Sequence, residues 1–224
     1  MTAGNSVFER KGGAGWSRGL DNLLNAELGR WFRTKKWWLQ ILIWAALINL
    51  IVAMAALSEG RGDGMESVML LTLMLGIFAV CGVCILMQGS IVGEKQAGTA
   101  AWVLSKPVSR SAFILAKLVA NTVGVAITIV LVQGLLAYLI IYLVSGTALP
   151  PLGFLGGLIV HLIHLLFYIT LTLMLGAAFN KRGAVIAIPL VFLFLQQMLM
   201  GPFPILSKVL PWTLVIPPDD GAYT

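Results

Sequence analysis

Two residue pairs in this sequence have the spacing of metal ligands, Cys81-x2-Cys84 and His161-x2-His164. Residues three apart share a helix face, so each pair would present two ligands side by side. If the two faces met at equal depth, Cys81, Cys84, His161 and His164 would form a tetrahedral site for a soft metal. The plainer reading makes the thiols small buried hydrophobes and gives the histidines interhelical hydrogen bonds or a place in a cavity wall, so no metal is assigned. Ionisable residues at membrane depth are also candidates for a substrate path. Gln88, Asn121 and Gln133, with Asn49, Gln196 and Gln197, are further polar groups within or at the ends of apolar runs. Such groups typically hold helices together for about 0.6 kcal/mol each, and Gly89-x3-Gly93 is a small-residue pattern suited to close helix packing.

Other chemistries have no residues to carry them. The chain has no G-x4-G-K-[ST] phosphate loop, so the usual route of ATP hydrolysis is closed to it. It has no H-E-x2-H motif and no local serine–histidine pattern, and its apolar runs hold no Asp or Glu on which a proton-driven carrier could be built. No catalytic residue and no cofactor are assigned to it.

The elements that position these residues are apolar. Of 224 residues 59% are hydrophobic and only 11% charged, against about 25% charged in soluble domains, and the mean hydropathy is +0.94. A chain of this kind is an all-α integral membrane protein that crosses the bilayer several times. Its net charge of +6 concerns the membrane rather than nucleic acid, because in such a protein the distribution of charge carries the information. The two cysteines lie inside an apolar run, so they make no secretory disulfide framework. No signal peptide is expected, since the first 36 residues are polar and charged.

Residues 1–16 are Gly-rich and expected to be disordered. Over 17–36, Leu20, Leu23, Leu24, Leu28, Trp31 and Phe32 recur at helical spacing, with Arg18, Asp21, Asn22, Asn25, Arg30 and Arg33 on the other side. This predicts an amphipathic helix lying in the membrane interface against lipid, followed by the Lys35, Lys36, Trp37, Trp38 collar. Residues 37–200 form the transmembrane domain, with spans predicted at about 38–57, 68–92, 118–144, 154–179 and 184–200. Each is long enough to cross a core of ~30 Å. Residues 201–224 hold five prolines and two apolar pieces too short to span, expected as re-entrant or interfacial helices on the outer side. Thirteen Lys and Arg fall on one side of this topology and two, Arg61 and Lys208, on the other. The positive-inside rule therefore predicts a cytoplasmic amino terminus in the inner membrane.

The stretch 93–117 interrupts the apolar runs with both charge signs. Glu94 should close the second span at the cytoplasmic face. Ala97 to Leu104 reads as a short helix capped by Thr99, with Trp102 and Leu104 on its apolar face, and Pro107 should end it. Ser109 or Ser111 can cap the third span, and Lys117 should snorkel at its start.

Glu94, Gly98-Thr99, Leu104, Pro107, Arg110 and Lys117 stand in the arrangement E-x3-GT-x4-L-x2-P-x2-R-x6-K. The arrangement resembles the signature of ABC-2-type transporter permeases, and the likeness extends over the amphipathic helix, the span layout and the apolar pieces after the fifth span. It implies that 93–117 carries a coupling helix touching a cytoplasmic P-loop ATPase, on which ATP and Mg would be bound. It implies a second permease subunit, a homodimer or heterodimer, and an export path between the two. Glu94 and Arg110 would orient the coupling helix, Gly98 would allow close approach, and Pro107 would set the break before the next span. The resemblance also implies a sixth span, for which this chain has no apolar run. A different class remains open: a non-transporting scaffold or accessory subunit of a larger membrane complex.

Overall fold

A computed structural model describes residues 15–215, apart from 61, 147, 201, 204 and 206–208 and the side chains of Lys36 and Met200. Most of the expected disordered tail and much of the expected re-entrant segment lie outside the described residues. Among the described residues there is no strand. Helix α1 is Leu20–Phe32, and the five helices long and apolar enough to span are α2 (Trp37–Glu59), α3 (Met65–Gln96), α5 (Arg110–Ser145), α6 (Pro151–Ala178) and α7 (Arg182–Leu199). The short α4 is Thr99–Leu104, and a 3-10 turn at Pro211–Leu214 follows α7.

All five predicted spans are present, with different ends. The third begins at Arg110 instead of 118, because Ser109 takes the extended N-cap conformation and its Oγ accepts the Ala112 amide at 3.0 Å. At 36 residues and 1.5 Å per residue, α5 is about 54 Å long and overreaches the hydrocarbon core. The polar stretch is correspondingly shorter than its sequence suggests.

The core is a seam between α3 and α6, where Leu75, Val80 and Val83 meet Leu165, Tyr168 and Ile169, all fully or almost fully buried. Helix α2 closes over it with Ile48 and Val52, and α5 with Val125 and Ile129. Helices α2, α3 and α5 each contain a π-helical turn, at Ala45–Asn49, Met74–Phe78 and Ala126–Leu131. A π turn shifts the backbone ladder and leaves carbonyls needing other partners. Polar side chains supply them. Gln133 donates to the carbonyls of Ile41 (3.2 Å) and Thr128 (2.9 Å) and accepts from Asn49 at 2.7 Å. His161 and His164 of α6 lie 3.3 Å from the carbonyls of Thr72 and Gly76 respectively.

Helix α1 uses its apolar stripe to dock on α5. The Ser109 amide donates to Arg18, Glu27 meets Lys117, and Trp31 meets Asn121, so the two helices advance side by side in one direction. Helix α1 packs along α5, and none of its residues is buried. Trp31 lies where a side chain on Gly124 would stand, 2.4 Å from the position of its Cβ. Only glycine allows that approach.

Candidate functional site

One end of the bundle gathers α1, the end of α3, α4, the start of α5 and the α6–α7 turn. Helix α4 is a six-residue helix on the tip of this end. Gly98 initiates it at φ +72°, a left-handed conformation that L side chains resist by about 1–2 kcal/mol. A Cβ on Gly98 would meet nothing within 4 Å, so backbone conformation, and not close approach, requires the glycine. Thr99 makes no N-cap bond; its hydroxyl donates back to the Glu94 carbonyl at 3.2 Å, tying α4 to the last turns of α3. At the other end the Ser105 amide donates to the carbonyls of Ala101 and Val103, and Pro107 follows as the predicted stop.

Helix α4 buries Ala100 and exposes Trp102 (63%) and Leu104 (37%). The Lys106 ammonium stands 3.7 Å from the centre of the Trp102 ring, a cation–π contact that holds the indole in place at an exposed site. An aromatic anchor, an aliphatic neighbour and a lysine presented together form a surface suited to a protein partner.

Beneath α4, four charged groups join three helices. Lys117 is 1% exposed, and its Nζ donates to Glu27 at 2.8 Å and Glu94 at 2.9 Å. Arg30 donates to Glu27 at 3.0 Å and also to Glu94. Two carboxylates and two cations cancel, which is what allows a lysine to be buried. The hydrogen bond to Glu94 is the main influence holding the Arg30 guanidinium above its ordinary pKa, with burial opposing it and the charge of Glu27 adding to it. The predicted snorkelling of Lys117 is thus corrected. The longer α5 places it two turns inside the helix, where carboxylates from α1 and α3 wait. Glu94 likewise does not end α3, which runs on to Gln96.

Arg110 is exposed on the first turn of α5, outside this cluster. Asn121 bridges helices as expected: it accepts the Trp31 indole N–H at 2.8 Å and donates to Ser90 at 3.4 Å. Gln133 does the same at the π turns, whereas half-buried Gln88 enters neither network.

The cysteines and histidines stay apart. Cys84 accepts the Thr172 hydroxyl at 3.7 Å, while His161 and His164 face Thr72 and Gly76. The antiparallel register of α3 against α6 therefore sets the two pairs about two turns apart, and among the described residues no group of three or more metal ligands forms. His164 instead pins the 3-10 turn, with Nδ1 3.0 Å from the Pro211 carbonyl.

Sequence reasoning overlooked Glu27 and undervalued Arg30 and Lys95. Lys95 counted only as a charge, yet it donates to the carbonyls of Gly176 (3.3 Å), Ala177 (2.9 Å) and Phe179 (3.1 Å). A cation there satisfies the open carbonyls at the end of α6. The one local signal was the Glu27-x2-Arg30 spacing on the polar side of α1.

Residues 22–211 match the family model described as ABC-2 family transporter protein. No curated protein matches the chain.

Proposed function

This chain belongs to the ABC-2 transporter family, and we propose that it is the permease subunit of an exporter whose ATPase is a separate polypeptide. The family makes it a membrane permease of an ABC transporter, a transmembrane subunit that is not itself catalytic. In our reading a cytoplasmic P-loop ATPase, binding ATP and Mg, docks on α4, and a second permease subunit completes the path. The α4 end then faces the cytoplasm of the inner membrane, since the basic segments gather there while Glu59, Asp63 and Glu66 lie at the other end.

The observation that carries this reading is the exposed Trp102–Lys106 surface on a helix braced between two spans, in a chain without a phosphate loop of its own. Thr99 ties α4 to α3, and the Glu27–Arg30–Glu94–Lys117 cluster ties α3 to α5 and α1. A push on α4 from closure of the motor would move these helices as one body against the partner permease.

The test is purification of the chain in mild detergent with quantification of the ATPase that accompanies it. Trp102→Asp combined with Leu104→Asp changes only exposed side chains and should reduce the accompanying ATPase about tenfold or more, as expected for an interface anchor. Wild-type amounts of ATPase on that variant would place the docking surface elsewhere. If the wild type brings down only other membrane proteins, the chain is a scaffold.

A further inference from the structure

A cavity of about 390 Å³ opens between α1, α2, α3 and α5, close to the α4 end. Its rim carries Glu27, Arg30 and Trp37, and Gln40 and Ser90 lie within it. Leu86 and Gln40 also line a second cavity of about 240 Å³, which continues deeper between α2 and α3 past Ile43, Trp44 and Gly82. The two together run from charged, through neutral polar, to wholly apolar walls along the axis of the spans. That order matches a bilayer lipid entering at its headgroup level.

The polar part has unspent hydrogen-bond donors. Arg30 uses only Nη1 on the two carboxylates, and its side chain is 61% exposed, leaving the rest of its fork for a phosphate. Ser90 accepts from Asn121 and keeps its own hydroxyl proton to donate. Glu27 does not oppose an anion there, because Lys117 and Arg30 already neutralise it. Arg33 and Lys35 follow directly in the sequence and bias the same region towards negative headgroups.

We propose that this groove holds one anionic phospholipid, with its phosphate at Arg30 and Ser90 and one acyl chain passing Leu86 towards Trp44 and Gly82. The proposal is independent of the export reading, since it needs only that the chain sit in a bilayer. The lipid would brace α1 against α2 and α3.

Native mass spectrometry of the full chain, stripped of lipid in detergent and titrated with either phosphatidylglycerol or phosphatidylcholine, tests this. The wild type should hold one phosphatidylglycerol saturably and bind phosphatidylcholine about tenfold more weakly, because the choline cation offsets the phosphate charge that Arg30 meets. Leu86→Trp, which fills the groove, and Ser90→Ala, which removes a donor to the phosphate, should each weaken phosphatidylglycerol by a similar factor. Val191→Trp, on the exposed outer face of α7, should bind as the wild type does. Equal binding of the two lipids by the wild type overturns the proposal without any variant, as does unchanged phosphatidylglycerol binding in both Leu86→Trp and Ser90→Ala.

Discussion

At the α4 end, the bundle is joined by charges; at mid-depth, it is joined by neutral side chains reaching backbone carbonyls. Glu27, Arg30, Glu94 and Lys117 meet within hydrogen-bonding distance from three separate helices. Asn49, Gln133, His161 and His164 instead close the gaps that π turns leave in α2, α3 and α5. The difference follows from the cost of charge. Near the interface a neutral cluster of four ions can keep partial contact with water, whereas deep in hydrocarbon only neutral groups can meet backbone without a large desolvation penalty. The charged cluster is accordingly suited to a junction between parts that must move together or come apart, and the neutral pins to a fixed frame.

Breaking the charged junction should have the largest effect. Lys117→Met leaves two buried carboxylates with one cation, which should destabilise the protein by about 3–5 kcal/mol, read as a lowered thermal unfolding midpoint in detergent and as protease access to α1. Adding Glu27→Gln should recover a large part of the loss, because it removes one of the two stranded charges; no recovery would mean that Lys117 acts through packing alone. Gln133→Leu sharpens the comparison from the other side. It strands the Asn49 amide and removes a side-chain donor from the carbonyls of Ile41 and Thr128, yet membrane hydrogen bonds average only about 0.6 kcal/mol with a maximum near 1.7. Its thermal shift should therefore be clearly smaller than that of Lys117→Met, and a larger one would reverse the ranking of the two regions. The smallest effect is expected from Gly98→Ala. Strain at φ +72° should cost about 1–2 kcal/mol confined to α4, so that protection of α4 amides from hydrogen exchange falls while unfolding of the spans is unchanged.

Much of this arrangement was legible in the sequence. Apolar run length located five spans, the 3.6-residue stripe located α1, and Ser109 and Pro107 marked a helix start and a helix stop where the structure has them. These are local signals, set by composition and backbone chemistry over one or two turns. The charged cluster was not legible because Glu27 and Lys117 are 90 residues apart, and Lys117 taken alone reads like any lysine at a span end. Whether the spacing of Cys81, Cys84, His161 and His164 makes a metal site was not legible for the same reason. Spacing shows which residues share a helix face, while helix register decides which faces meet at one depth.

What the sequence by itself determined is therefore the membrane, the number of apolar helices and the amphipathic side of α1, because hydrophobic run length and periodicity are properties of single segments. The tertiary structure decided which polar groups became partners. It put Lys117 between two carboxylates, set the histidines on the open carbonyls of α3, and laid α1 alongside α5. Buried polar groups must find a partner wherever packing brings one, and only the packed helices fix where that is.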